Sequence, residues 1–110
     1  MTATELIAAI EAATEGSHEL DCEIWDTFGW HKPRSIKRYT TSLDAAESLM
    51  PADVWWLLGC GQVSESEPLW GMRVVRAGDQ ALKPIALAEH RTSEILCRCI
   101  AALRAREAAK

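Results

Sequence analysis

Residues 1–31 contain no lysine or arginine, although they carry Glu5, Glu11, Glu15, Glu19, Asp21, Glu23 and Asp26. No apolar run approaches the ~18 residues that a membrane-spanning helix requires, and the N-terminus lacks the basic and apolar regions of a signal peptide. A cytoplasmic location is therefore expected. A net charge of -4 and a pI near 5.3 weigh against wrapping nucleic acid or coating an anionic membrane, both of which need a basic surface. No glycine-rich loop opens a helix after a strand: Gly59-Cys60-Gly61 runs into Gln62-Val63-Ser64, which gives nucleotide hydrolysis no foothold. Asp21, Glu23 and Asp26 lack the glycine turn and terminal bidentate glutamate of a calcium loop. The four cysteines, Cys22, Cys60, Cys97 and Cys99, are expected as reduced thiols. Cys97 and Cys99 fall on one helix about 200° apart, a poor arrangement for a shared metal. Neither a metal nor a cofactor is expected.

What is present is apolar and patterned. With 110 residues and 48% apolar content, the chain can build one hydrophobic core, so residues 1–110 are read as a single domain. Thr2 and Glu5 form a capping-box pattern before a helix over about 3–14. Ser17 caps a second helix in which Leu20, Ile24 and Phe28 form a buried stripe, with Gly29 at its end. Residues 30–41 read as a loop. Thr41 or Ser42 caps a short third helix with Leu43, Ala46 and Leu49 inward, stopped by Met50-Pro51. Val54 to Leu58 is apolar on both alternating faces and reads as a strand covered above and below. After a polar connection over Gly59 to Pro68 comes a second, antiparallel strand over Leu69 to Arg76, in which Trp70, Met72 and Val74 alternate with Gly71, Arg73 and Val75. Residues 77–80 make a turn, and Pro84 to Ala88 forms a third strand held to an edge or an end by its proline. Thr92 or Ser93 caps a last helix with a stripe of Leu96, Cys99, Ile100 and Leu103. The pattern predicts an α+β fold: a three-layer α/β/α sandwich with a small, mainly antiparallel sheet of two or three strands and about four helices.

Leu20-Asp21 followed by Gly29-Trp30, the segment Tyr39-Thr40-Thr41-Ser42-Leu43-Asp44-Ala45-Ala46, the Trp55-Trp56 strand, and Cys99 with Leu103-Arg104-Ala105-Arg106 occur in that order. Together they resemble the phage ABA sandwich domain family, small α/β/α proteins of phages and prophages. The resemblance spans nearly the whole chain and implies a phage or prophage origin and the three-layer fold. It implies no reaction.

Catalysis has little to stand on, because His18, His31 and His90 sit in unrelated contexts and no nucleophile, base and orienting group converge. A non-enzymatic role is expected. Binding has more support. Of the five tryptophans, Trp55, Trp56 and Trp70 account for the core, and Trp30 reads as a plug beneath the loop. Trp25 falls about 100° off the Leu20-Ile24-Phe28 stripe and can serve as an exposed anchor. Three readings follow. In the leading one, Glu15, Glu19, Asp21, Glu23, Trp25 and Asp26 dock on a basic host protein, as in a counter-defence inhibitor of the anti-CRISPR kind. In another, Lys32, Arg34, Lys37 and Arg38 meet the phosphates of a small anionic, cyclic-nucleotide-like signal while Tyr39 or Trp30 stacks on its base. The last is a virion or assembly accessory. Homodimerisation through the third strand is one further expectation.

Overall fold

Serine caps set the helix starts. The hydroxyls of Ser17, Ser42 and Ser93 accept from the backbone N–H of Leu20, Ala45 and Leu96, at 3.2, 3.4 and 3.1 Å, so each satisfies a donor that has no partner inside its helix. Thr2 does the same for Glu5 at 3.2 Å, and its hydroxyl donates to the Glu5 carboxylate at 3.1 Å. The chain, described here by a computed structural model over residues 2–28, 37–51, 53–64, 67–78, 84–90 and 93–108, runs α1 (Ala3–Ala12), α2 (His18–Phe28), α3 (Leu43–Glu47), β1 (Val54–Ser64), β2 (Glu67–Arg76), β3 (Pro84–His90) and α4 (Glu94–Ala108).

The strands form one antiparallel sheet in the order β1-β2-β3. The fold is thus the expected α+β, sandwich-like arrangement of four helices and a three-stranded antiparallel sheet. The polar connection expected over Gly59 to Pro68 is instead ladder: β1 continues to Ser64 and β2 begins at Glu67, with a register irregularity between Gln62 and Ser64. Two glycines and a proline in that stretch disguise a hairpin whose backbone pairing does not depend on side-chain propensity. Gly78, at φ 85°, supplies the left-handed residue of the turn after β2.

The core forms between the sheet and α4. In α4, Leu96, Cys97, Cys99, Ile100, Ala101, Ala102, Leu103 and Ala105 are all fully buried. The expected single stripe is therefore a nearly complete apolar girdle, because β2 and β3 pack on one side of α4 while α1 and α3 pack on others. Leu6, Ile7 and Ile10 of α1, Ile24 of α2, Ala46 and Leu49 complete the core from the helical side, and Met72, Val74, Ala86 and Ala88 from the sheet. Leu43, expected inward, is 39% exposed at the start of α3.

Cover over both faces of β1 is not observed. Trp55, Leu57 and Leu87 are each 54% exposed, and Trp56 is 39% exposed, so Trp55 and Trp56 are not core residues. No helix packs along β1 among the described residues; the helices collect around α4, which lies over β2 and β3.

A polar clamp ties α2 to the segment before α3. Asp21, 2% exposed, accepts from the Thr40 backbone N–H at 2.9 Å and from its hydroxyl at 2.7 Å, and that hydroxyl accepts from Ser17 N–H at 3.0 Å. A buried carboxylate is tolerated because its oxygen meets two donors. Gly16 fits beneath the clamp because it lacks a side chain: a Cβ there would lie 2.0 Å from the Thr40 carbonyl oxygen. Gly16→Ala is expected to cost about 2–4 kcal/mol by forcing backbone apart from backbone. Urea denaturation checks it, and an unchanged midpoint would refute the tight approach.

Candidate binding surfaces

The helical period of α2 separates its polar and apolar residues. Glu19, Glu23 and Asp26 are spaced i, i+4 and i+7 and fall within about 60° of one another, their mean direction about 110° from that of Leu20 and Ile24. Glu19 and Asp26 are exposed and Glu23 is half-buried, with exposed Glu15 just ahead of the helix. None of these four carboxylates has a cation partner among the described residues, in contrast to Glu11, which Arg104 holds at 2.8 Å. Among the described helices and strands, α2 packs chiefly on α1. Trp25 is half-buried and falls about 40° from Asp21 and about 100° from Asp26, the nearest residue of the stripe. Asp21 is a different case. The sequence reading placed it on the docking face, but the Thr40 clamp turns it inward and removes it from that surface.

The proposed anion site fares unevenly. Lys37 and Arg38 are exposed, whereas Lys32 and Arg34 lie outside the described residues. Tyr39 is 4% exposed and belongs to the core, so its ring offers no stacking platform. Burial raises its phenol above the ordinary value of 10.0, with a hydrogen bond from the Lys37 backbone opposing the shift. Trp30, His31 and the Gly29 helix end also lie outside the described residues.

Two histidines are placed. The His90 Nδ1 accepts from the Ser93 backbone N–H at 3.0 Å, so Nε2 carries the proton and donates to the Ala13 carbonyl at 2.8 Å. His90 thereby joins the end of β3 to the end of α1 and the start of α4, and it lines a surface groove with Glu11, Thr14, Leu69 and Glu89. The His18 Nε2 lies 3.5 Å from the Cys22 sulfur, one turn away on α2. Among the described residues, no three His, Cys, Asp or Glu side chains converge in a way that would hold a metal ion. No helix among them is long and apolar enough to cross a membrane.

Sequence reasoning missed the open side of the sheet. Trp55, Leu57 and Gly59 of β1, Gly71 and Arg73 of β2, and Leu87 and Glu89 of β3 share it, and a shallow hollow of about 480 Å³ lies around the paired Gly59 and Gly71. A signal was available. Arg73 lies on the central strand, and a charged side chain there leaves that face open to solvent; antiparallel register then brings Trp55 and Leu57 to the same side. Pairing order is what the sequence conceals.

Cys97 and Cys99 point in different directions, as their spacing predicts. The Cys97 thiol faces the sheet, near the carbonyls of Trp70 and Ala88 at 3.5 and 3.7 Å, while the Cys99 thiol donates to the Tyr39 carbonyl at 3.0 Å. Desolvation pushes Cys97 up to about 11 and Cys99 up to about 12, from 9.0. Both are neutral, packed thiols.

No family model, curated protein or solved structure matches this chain.

Because unfolding returns both thiols to ordinary water, stability is at full value below pH 9 and falls as pH rises toward the folded values of about 11 and about 12. Within that window the unfolded chain has released protons that the native state retains, with a slope of about 1.4 kcal/mol per pH unit for each thiol. Chemical denaturation between pH 8 and pH 11 measures the loss. Cys97→Ala with Cys99→Ala should flatten the profile, and an equal slope in that variant would show that other groups cause it.

Proposed function

We propose that the protein is a small, non-enzymatic phage or prophage accessory that binds and inhibits a host protein through the acidic side of α2. The carrying observation is the stripe of Glu19, Glu23 and Asp26, continued by Glu15, which faces away from the core and meets no cation among the described residues. Such a stripe lowers the barrier to encounter with a basic surface, for example the nucleic-acid channel of a defence nuclease, and half-buried Trp25, about 100° around the helix from Asp26, supplies apolar area at its margin that prolongs the contact. Residues 1–31 carry no lysine or arginine to counter this field, which supports the same polarity of partner. A counter-defence role accords with the resemblance in residue pattern to phage ABA sandwich proteins.

Sequestration of a small anion draws on fewer groups. Lys37 and Arg38 are available to it, and Tyr39 is not.

Glu19→Lys, Glu23→Lys and Asp26→Lys combined, with circular dichroism checking that the fold is kept, should slow association with the host target at least about tenfold at low salt. Trp25→Ala should speed dissociation, costing about 2 kcal/mol. The target is taken from host lysate on the wild-type protein, identified, and tested for inhibition. A triple variant that recovers and inhibits the same target equally well would overturn the assignment of this face.

A further inference from the structure

Among the described residues, β1 and β3 each pair along one edge, and their other edges differ. β3 is seven residues long, begins with Pro84 and carries Glu89; Arg104 Nη1 donates to the Leu87 carbonyl at 2.9 Å. Proline, charge and a side chain bonded to the backbone all hinder the pairing of another strand. β1 has none of these protections. Its eleven residues, Val54–Ser64, contain no charge and no proline, and its ladder bonds to β2 use one side alone. Trp55 and Leu57 protrude on one face, and Trp56 is partly exposed on the other. A long, uncharged, apolar edge in an isolated subunit invites uncontrolled pairing unless a specific partner occupies it.

We propose that this partner is a second copy of the chain, with the two β1 strands pairing antiparallel about a two-fold axis at Leu57 to give one continuous six-stranded sheet.

Three features favour a second copy over a foreign strand. Self-pairing opposes no like charges, because the strand has none to oppose. The two-fold symmetry places residues whose numbers sum to 114 opposite one another on a common face, so Trp55 of each copy meets Gly59 of the other, and Trp56 meets Leu58. Gly59 has open space where a side chain would lie, with nothing within 4 Å of a Cβ built there, and an aromatic ring laid over a cross-strand glycine fills such a gap. The new pairing also extends an existing sheet without moving any described element. Covering Trp55, Trp56, Leu57 and the backbone edge in both copies removes on the order of 1,000 Å² in total, the lower limit for a specific interface, so the dimer should form in the micromolar range. The edge expected from sequence to pair, β3, is the protected one.

Sedimentation velocity and native mass spectrometry of the full chain between about 1 and 500 µM test the proposal. The wild type should pass from monomer to dimer across that range. Leu57→Lys should weaken the dimer at least about tenfold, and Leu87→Lys, equally exposed on β3, should leave it intact. Circular dichroism checks that both variants remain folded. Leu57→Cys should form an intersubunit disulfide on mild oxidation, because directly opposed residues of an antiparallel pair lie about 4.5–5.5 Å apart at Cα. Trp55→Cys, which faces Gly59 of the other copy, should not. A wild type that stays monomeric would overturn the proposal, as would a dimer broken by Leu87→Lys and not by Leu57→Lys. A dimer in which Leu57→Cys fails to cross-link would overturn the pairing about Leu57.

Discussion

The structure depends on enclosing α4. A helix at the edge of a small domain normally keeps one side in water, but here residues 96–105 are buried around most of the circumference. Small side chains make this feasible: Cys97, Cys99, Ala101, Ala102 and Ala105 let the sheet and the other helices approach the α4 backbone closely, while Leu96, Ile100 and Leu103 fill the remaining volume. Polarity is carried to the surface by three arginines. Arg98 pairs with Glu94 and with Glu47 of α3 at 3.0 Å each, Arg104 reaches Glu11 of α1 and the Leu87 carbonyl of β3, and Arg106 Nε donates to the Leu49 carbonyl after α3. Each long side chain spans apolar surface and delivers its charge to a different neighbour. The exposed Arg104–Glu11 pair adds little energy of its own, whereas Arg98 is mostly buried between its two carboxylates.

Gathering the helices around α4 determines what is left uncovered. Since α4 lies over β2 and β3, β1 extends beyond the helical cover, and Trp56 is partly exposed even on the side that faces the core. The far side of the sheet has no helix among the described elements. The open face and the bare edge of β1 are therefore consequences of the same packing, with exposed tryptophan as the visible result.

Much of this could be read from the sequence, and the exceptions have one cause. Serine and threonine caps placed the helix starts within a residue or two, because a cap is a local hydrogen bond specified by its own neighbourhood. Val54 to Leu58, Leu69 to Arg76 and Pro84 to Ala88 were recognisable as strands from alternation and β-branched content. The inward stripes of α1, α2 and α4 were legible as well, with Leu6, Ile10, Ile24, Leu96, Cys99, Ile100 and Leu103 all buried, and what failed were particular inferences about which further residues are covered. Trp55 and Trp56 look like core residues by composition; Asp21, Glu23 and Asp26 look like one acidic surface; Leu96, Cys99, Ile100 and Leu103 look like the whole buried stripe of α4. Each depends on a neighbour distant in sequence: Thr40 for Asp21, β2 and β3 for the alanines of α4, and, for Trp55, a sheet face over which no described helix packs. Alanine carries too little hydrophobicity to mark a buried face, and tryptophan carries so much that it marks one even where none exists.

The two surfaces proposed for recognition lie far apart in the packing order. Among the described elements the principal packing runs from α2 to α1, from α1 to α4, and from α4 to β2 and β3, so the acidic stripe and β1 belong to elements that do not pack extensively on one another. Pairing at β1 would therefore leave both acidic stripes unobstructed, one from each copy. A host protein with a single basic site would gain little from this arrangement beyond a doubled local concentration. A target that repeats its basic site, such as a symmetric oligomer or a filament along nucleic acid, would engage both stripes at once, and the second contact would then form at an effective concentration fixed by a rigid sheet. Rigidity makes that gain conditional on spacing: two stripes held at a set separation reward targets whose sites match it and give no avidity on others. Selectivity among basic host proteins, which net charge alone cannot provide, would then come from the geometry of the paired sheet.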